Sequence, residues 1–199
     1  MPVSDLPQVI LLNGVSSAGK SSLTAALQAE LPEPYIRTGL DAFVFEGAPL
    51  VWLGTPEGIR FMPQPDGSTM VVLGESAHLM QKGLHRSVRA CVDIGLRVIV
   101  DDVVLEQGTL DDWVMVLEGV DVCFLGVHCD LAELELREKA RRDRSKGMVR
   151  WQNSVVHGFA PYDLTVDTTR TPTSACAGQI VAALPTRRRP TVFETLRAR

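Results

Sequence analysis

Near the start of the chain, a short apolar run leads into a glycine-containing loop and then into a helical pattern. The loop spans residues 14–21 and reads G-x-x-x-x-G-K-S, and it follows the apolar residues 9–12 after one intervening residue. Gly14 and Gly19 let the backbone curl, so that successive N–H groups point inward at phosphate oxygens. The helix that follows presents its positive N-terminal end to the same anion. Strand, loop and helix in this order predict a phosphate-binding loop.

Each residue type in this loop has a role in binding a nucleoside triphosphate. Lys20 is expected to reach the β- and γ-phosphates, and the Ser21 hydroxyl can complete the coordination of Mg²⁺. Glycine-rich turns are common, so the assignment depends on the strand and the helix that flank the loop. The residues expected to bind the nucleotide here are Gly14, Val15, Ser16, Ser17, Ala18, Gly19, Lys20, Ser21 and Ser22.

Apolar runs alternate with helical patterns over most of the chain. Strands are expected at residues 9–12, 35–38, 97–101, 122–127 and 164–167, and helices at 20–30, 75–93, 110–118, 131–144, 149–156 and 174–184. This alternation predicts the α/β fold class, with a doubly wound, parallel five-stranded sheet and helices on both faces. The length of 199 residues suits one such domain, which we assign to residues 1–186.

Two segments depart from this alternation. Residues 47–75 are punctuated by prolines and glycines, which predicts a long excursion from the core, partly ordered as a hairpin. Long loops in a compact domain often bind ligands, so this excursion is expected to form the acceptor site. Residues 187–199 form a basic C-terminal tail. Because the whole chain carries a net charge of −4, a solvated tail is favoured over a contact with nucleic acid.

Composition and charge argue against several classes of protein. No apolar run approaches the length of a bilayer span, and the N-terminus lacks the pattern of a signal peptide. The four cysteines are scattered, without the spacing of a zinc site or a disulfide framework. We therefore expect a cytoplasmic protein that binds neither nucleic acid nor a membrane. The oligomeric state stays open.

Acidic residues follow two of the expected strands, and ligands of an open parallel sheet bind where strands end. Asp101 ends the third strand, where its carboxylate can hold Mg²⁺. Asp102 points the other way and is the close alternative; one of the two can instead cap the following turn. Asp41 follows the second strand, where a general base could accept the proton of an acceptor hydroxyl. A helix N-cap explains the position of Asp41 equally well.

Three arginines predict a lid over the nucleotide. Arg137, Arg141 and Arg144 are four and three residues apart, so they lie on one face of the helix expected at 131–144. A solvated, charged face is the default explanation for such a segment. Compensating acids are absent from that face, which favours a lid region, residues 130–157, whose arginines neutralise charge on the transferring phosphate. The guanidinium fork suits this role because it matches phosphate oxygens bidentately.

With these motifs in order, the chain resembles chloramphenicol phosphotransferase and related small P-loop kinases. The resemblance extends from about residue 9 to 170. Besides the loop itself, it is carried by Leu-Asn-Gly at 12–14, Leu-Pro-Glu-Pro at 31–34, Gly-Leu-Asp at 39–41, Ile-Val-Asp-Asp-Val at 99–103, Val-His-Cys-Asp at 127–130, Ala-Arg-Arg-Asp-Arg at 140–144, and Tyr-Asp at 162–163 through Val-Asp-Thr-Thr at 166–169.

The resemblance implies an adenylate-kinase-like fold and ATP-dependent phosphorylation of a small-molecule hydroxyl, which in that family belongs to chloramphenicol. It implies the role of base for Asp41 and the role of lid for Arg141 and Arg144, and Arg137 also has a counterpart. Two other interpretations stay open. One is a kinase for another metabolite, such as a nucleotide sugar, as in zeta-type toxins; the other is an ATP-binding regulatory module without acceptor chemistry.

Overall fold

A parallel sheet forms the centre of the protein in the computed structural model, which describes residues 5–47, 49, 52, 54–141 and 146–198. The elements in chain order are β1 (Val9–Gly14), α1 (Lys20–Glu30), β2 (Tyr35–Gly39), a π-helical turn (Asp41–Phe45), β3 (Ile59–Pro63), β4 (Thr69–Leu73), α2 (Glu75–Asp93), β5 (Arg97–Asp102), α3 (Gln107–Val116), β6 (Val122–His128), α4 (Leu131–Ala140), α5 (Met148–Val155), β7 (Leu164–Asp167), α6 (Thr173–Ala183), a 3₁₀ turn (Leu184–Thr186) and α7 (Val192–Arg197). None of the helices in these described ranges has the length and apolar character to cross a lipid bilayer.

The sheet has the strand order β2-β5-β1-β6-β7, and all of its strands run parallel. Every residue of the central strand β1 is buried. Its side chains alternate between two apolar cores, one on each face of the sheet. Ile10 and Leu12 belong to one core, and Val9 and Leu11 belong to the other. The predicted α/β fold, with five parallel strands covered on both faces, is confirmed.

The pairing of β1 with its two neighbours brings the functional end of the sheet together. Leu12 pairs with Asp101 on β5, and Gly14 pairs with Val127 on β6. All three strands therefore end at the same edge, directly below the glycine-containing loop. This register fixes which side chains surround that loop.

A buried asparagine anchors the end of β1. The Asn13 amide group donates hydrogen bonds to the Val156 carbonyl and the Tyr162 hydroxyl, both at 2.9 Å, and its oxygen accepts one from the Val104 N–H at 2.9 Å. The Tyr162 ring packs against Gly126, where an added Cβ would lie 2.5 Å from the ring atom Cδ2. The close approach of this ring is possible because residue 126 has no side chain.

Part of the proline- and glycine-rich excursion forms an antiparallel hairpin of β3 and β4, in agreement with the sequence-based prediction. Thr69 on β4 ties this hairpin to the chain just before α5. Its N–H donates to the Gly147 carbonyl at 3.0 Å, and its hydroxyl donates to the Lys146 carbonyl at 2.8 Å. The hairpin is thereby fixed beside the segment that was expected to form a lid.

The prediction of one helix over residues 131–144 is wrong, because α4 ends at Ala140. Arg141 has extended backbone angles, φ −87° and ψ 135°, so it does not lie on a helical face with Arg137. Arg144 lies outside the described residues. The buried Glu138 side chain accepts hydrogen bonds from the N–H groups of Gly147 and Val149, at 2.8 and 3.0 Å. These contacts satisfy the start of α5 and bring the chain back towards α4.

The C-terminal segment packs on the domain, so the expectation of a solvated tail is wrong for residues 187–198. The Arg187 guanidinium is buried and pairs with the Asp121 carboxylate. Thr191 and Glu194 form a capping box at the start of α7. This helix inserts the fully buried Phe193 into the core. No local pattern in the sequence indicated this packing, because the partner of Arg187, Asp121, lies far away along the chain.

Replacing Gly126 with alanine is expected to destabilise the protein. The added methyl group overlaps the Tyr162 ring, and overpacking of this kind costs ~1–3 kcal/mol in the free energy of unfolding. Chemical denaturation, followed by tryptophan fluorescence, measures the change. The matched control is Gly108→Ala in α3, where nothing lies within 4 Å of the added Cβ. We expect this variant to be as stable as the wild type or slightly more so. Equal losses in both variants would contradict the steric explanation.

Candidate functional site

The loop between β1 and α1 has a backbone that only certain residues adopt easily. Gly19, at the start of α1, has a φ of 84°, which glycine tolerates without strain. Gly14 approaches β6 so closely that an added Cβ would lie 2.5 Å from the Val127 carbonyl oxygen. Ser17 has a φ of 65°, a value uncommon for a residue with a side chain. Such strain is often retained at binding sites, where surrounding contacts hold it.

Lys20, Ser21 and Asp101 meet at the end of this loop. The Lys20 ammonium nitrogen lies 3.5 Å from Asp101 Oδ1 and donates to the Val15 carbonyl at 3.2 Å. The Ser21 hydroxyl donates to Asp101 Oδ2 at 2.7 Å. The first turn of α1 therefore places a cation and a hydroxyl against the carboxylate that ends β5.

The neighbouring Asp102 has a different environment. It is almost fully buried, accepts a hydrogen bond from the Trp113 indole N–H at 2.6 Å and bonds to the Val103 N–H at 2.7 Å. The Trp113 ring in turn packs against the ring of His85, with centroids 3.8 Å apart. Of the two adjacent carboxylates, Asp101 lies at the loop and Asp102 lies in the core.

A cavity of about 310 Å³ lies over the loop. Its lining comprises Ser16, Ser17, Gly19, Lys20, Ser21, Ser22, Leu40, Asp41, Asp101, Val103, Arg137, Ala140 and Arg141. Most of the sequence-predicted site residues in the described part of the chain therefore come together. Val15 and Ala18 instead have buried side chains in the core, and Gly14 lies below the cavity, against β6.

Arg137 is held beside the loop by two partners. Its Nε donates to Glu133 at 2.8 Å, and its Nη2 donates to the Thr168 carbonyl at 2.8 Å. Nη1 of this arginine lies close to the loop, because it is 3.9 Å from the position that a Cβ on Gly19 would occupy. The prediction that no acid shares the face of Arg137 is wrong, because Glu133 lies one helical turn before it.

Two further residues support the loop, and sequence reasoning missed both. The Gln152 side-chain oxygen accepts the Ser16 N–H at 2.8 Å. The Thr168 hydroxyl donates to the Ala18 carbonyl at 2.8 Å. Each contact joins segments that are more than a hundred residues apart, so no local pattern in the sequence could have indicated it.

Asp41 begins the π-helical turn after β2 and is exposed. Leu40 holds the N-cap position of that turn, so the alternative role of Asp41 as its N-cap does not fit the structure. Asp41 borders the cavity over the loop and also a second, adjoining cavity. It thus lies where the two cavities meet.

The second cavity is small, with a volume of about 30 Å³ against about 310 Å³ for the first. It is bordered by the β3–β4 hairpin, α2 and α5, and its walls are mainly apolar. Its lining comprises Ser16, Leu40, Asp41, Ile59, Val71, Leu73, Ala77, Gln81, Val103, Leu105, Met148 and Gln152. Within the part of the chain that the structure describes, Asp41 is the only charged residue of this lining. The site therefore pairs a cationic, hydroxyl-rich cavity with an apolar one, and a carboxylate stands between them.

A cluster of rings lies behind the loop. The Tyr162 hydroxyl, which accepts from Asn13, lies 2.7 Å from Nδ1 of His157, whose ring stacks on that of His128. Burial lowers the pKa of His157 to about 4, with smaller contributions from the charges of His128 and Lys20. A neutral imidazole fits this arrangement, because Nδ1 can then accept the tyrosine proton.

Comparison with known proteins shows which protein family and which relatives this chain is similar to. Residues 7–185 match the model of the family described as chloramphenicol phosphotransferase-like protein. Proteins from two strains of Mycobacterium tuberculosis, CDC 1551 and H37Rv, are each named as a candidate O-phosphotransferase and are 33% identical to this chain over 207 residues. The alignment covers 96% of this chain and 88% of each relative.

Solved structures of low identity share the fold. A sugar kinase from Janibacter has a TM-score of 0.64 at 19% identity, covering 87% of this chain and 92% of that one. A gluconokinase from Sinorhizobium meliloti has a TM-score of 0.59 at 17% identity, covering 97% of both chains. A shikimate kinase from Acinetobacter baumannii has a TM-score of 0.56 at 13% identity, covering 91% and 94%. These similarities establish the P-loop kinase fold of the chain.

Acidification is expected to destabilise the protein through His157. The pKa of this histidine is about 4 in the folded state, against an ordinary value of 6.5, so between these two pH values the unfolded chain binds a proton that the folded chain does not. The contribution of neutral His157 to the free energy of unfolding is therefore present above pH 6.5 and is lost as the pH falls towards 4. Urea denaturation at several pH values across this window measures the effect. His157→Gln should weaken the pH dependence, whereas the control His78→Gln, at a partly exposed position, should leave it as in the wild type. Identical slopes in all three proteins would contradict the assignment.

Proposed function

We propose that this chain, a P-loop phosphotransferase that belongs to the chloramphenicol phosphotransferase-like family, moves the γ-phosphate of ATP to a hydroxyl of a small molecule. The proposed acceptor is chloramphenicol or a similar antibiotic, which O-phosphorylation would inactivate. The observation that carries the proposal is the position of Asp41 between the loop cavity and the apolar cavity. A carboxylate at this point can reach both a phosphate donor and an alcohol.

The loop cavity suits the triphosphate of ATP. Lys20 and Arg137 bring positive charge to the cavity, and the first turn of α1 adds the favourable end of the helix dipole. Arg141 also lines the cavity, and we propose that it stabilises charge on the transferring group together with Arg144. These contacts favour the transition state, in which charge spreads over the oxygens of the γ-phosphate.

The same end of the loop suits Mg²⁺. The Ser21 hydroxyl and the Asp101 carboxylate, 2.7 Å apart, provide the hard oxygen ligands that this cation prefers. The described residues contain no group of three or more His, Cys, Asp or Glu side chains that could hold a metal ion by themselves. Ser21 and Asp101 would therefore hold Mg²⁺ together with oxygens of the nucleotide. When bound, Mg²⁺ neutralises charge on the β- and γ-phosphates.

Asp41 is the proposed general base. Its carboxylate would orient the acceptor hydroxyl and accept the hydroxyl proton while the oxygen attacks the γ-phosphorus. A new oxygen–phosphorus bond forms in line with the breaking bond to the bridging oxygen, and ADP leaves. Exclusion of water from the closed site would limit wasteful hydrolysis of ATP.

The apolar cavity favours an uncharged acceptor over a nucleotide sugar. Its described lining offers no cation that could pair with the phosphates of a nucleotide sugar, and its walls consist mostly of aliphatic side chains. Ile59, Val71 and Met148 are among the buried residues that form these walls. An aromatic or aliphatic alcohol is the chemistry that such a surface binds.

Asp41→Asn is expected to lower phosphate transfer by about 10²- to 10⁴-fold, because the amide cannot accept the hydroxyl proton. ATP binding should change by less than about twofold, since the loop contacts remain. The measurement is mass spectrometry of chloramphenicol after incubation with protein, ATP and Mg²⁺, with ATP affinity measured separately.

The matched control for this experiment is Asp111→Asn, on an exposed part of α3 remote from both cavities. This control should transfer phosphate at the wild-type rate. Equal losses of ATP affinity and turnover in Asp41→Asn would contradict the role of base. Intact ATP binding without a mass gain in the wild type would exclude chloramphenicol and direct the search to other small alcohols.

Asp101→Asn is expected to raise the Mg²⁺ concentration for half-maximal activity by about 10- to 100-fold, because a neutral amide binds the cation more weakly than a carboxylate. Titration of activity with MgCl₂ measures this shift. Asp102→Asn is the comparison: it should lower stability through its bond to Trp113 while leaving the Mg²⁺ requirement unchanged. The reverse pattern would assign the metal to Asp102. Lys20→Ala should abolish activity at every Mg²⁺ concentration.

A further inference from the structure

One buried amide in the apolar cavity has no hydrogen-bond partner among the residues that the structure describes. Gln81 lies on α2 and is 3% exposed, and its Nε2 donates to none of those residues. A buried amide donor without a partner is unfavourable, so native proteins retain few of them without a reason. An aliphatic residue could occupy this buried position on α2, as aliphatic residues do at the buried positions Ala77 and Leu84 of the same helix.

Two polar groups near Gln81 already have partners, whereas Nε2 of His85, one helical turn further along α2, is also buried without a partner among the described residues and lines the groove between α2 and α3, not the apolar cavity. The Gln152 oxygen accepts the Ser16 N–H, and the Asp112 carboxylate binds His85 and Arg86. Gln81 also borders the open groove between α2 and α3, but Nε2 itself is buried. Water in that groove therefore does not take the place of a partner.

We propose that the Gln81 amide donates a hydrogen bond to a neutral oxygen of the acceptor, distinct from the hydroxyl that is phosphorylated. This inference rests on the proposed function, because it treats the apolar cavity, which at about 30 Å³ has to widen when the acceptor binds, as the acceptor site. Asp41 serves the reacting hydroxyl, and rotation of the Gln81 side chain presents its N–H to the body of the molecule. Gln81 thus determines specificity: it selects uncharged alcohols that carry a carbonyl, nitro or ether oxygen.

The physical basis of this selectivity is the penalty for an unpaired polar group. A wholly apolar alcohol bound at this site leaves the amide without a partner, whereas an alcohol with a suitably placed oxygen provides one. Sites built to hydrogen-bond a ligand discriminate strongly against analogues that lack the polar atom. The expected discrimination here is about 10- to 100-fold.

The experiment compares alcohols that differ in one atom. The probes are acetylbenzyl alcohol and isopropenylbenzyl alcohol, in which a carbonyl oxygen is replaced by a methylene group, each as the ortho, meta and para isomer. Calorimetry with a non-hydrolysable ATP analogue measures binding, and transfer from ATP is measured in parallel. In at least one isomeric pair, wild-type protein should bind the acetyl compound about 10- to 100-fold more tightly.

Gln81→Leu should reduce this preference to within about twofold, chiefly because the isopropenyl compound binds better. The variant should also unfold at a higher temperature, since an aliphatic group of similar size replaces a buried, unpartnered amide. If Gln81 had a purely structural role, Gln81→Leu would instead lower the unfolding temperature. The control Gln179→Leu, at an exposed position on α6, should keep the wild-type preference.

The outcomes separate the two proposals. No preference in any wild-type pair, no binding of any probe, or an unchanged preference in Gln81→Leu overturns the role of Gln81. Transfer of phosphate without a preference overturns that role and leaves the proposed function standing. A preference that Gln81→Leu abolishes, in the absence of any transfer from ATP to these probes or to chloramphenicol, supports Gln81 and overturns the proposed function.

Discussion

The pairing of β1 with β5 and β6 is the constraint on which the rest of the site depends. It aligns the ends of three strands, so that Asp101 and Val127 stand on either side of the loop that leaves β1. Hydrogen bonds from the buried Asn13 then join that end of β1 to segments far away in the sequence. Because the bonds of Asn13 to Val156 and Val104 are buried, the loop begins from a rigid base. The positions of Lys20 and Ser21 follow from that base and from the helix that they begin.

The two cavities divide the chemistry of a phosphotransferase into two environments. One is lined by the loop and by cationic side chains, which suits a polyanion, and the other is small and mainly apolar. A charge costs little in the first and much in the second. Asp41 is exposed and lies at their junction. Such a division favours transfer between two bound molecules over transfer to water.

The acceptor side and the lid side of the molecule share their supports. Thr69 ties the β3–β4 hairpin to the chain before α5, and Glu138 at the end of α4 holds the same segment through Gly147. Arg137 is fixed by Glu133 and by the chain after β7, so it reaches the loop from a rigid position. The hairpin and α5 border the apolar cavity, and the end of α4, which is joined to them, borders the loop cavity.

The sequence by itself determined the features that depend on local spacing. The glycine-containing loop, the alternation of strands and helices, and the opposite directions of Asp101 and Asp102 are set by neighbouring residues and the period of a strand. Tertiary structure alone decided the contacts between distant segments: Gln152 with Ser16, Thr168 with Ala18, and Arg187 with Asp121. It also decided how the chain returns after α4, because the Glu138 carboxylate accepts hydrogen bonds from the N–H groups of Gly147 and Val149 at the start of α5. The physical reason is that periodicity records which face of an element is buried, whereas the partner on that face depends on how the whole chain packs.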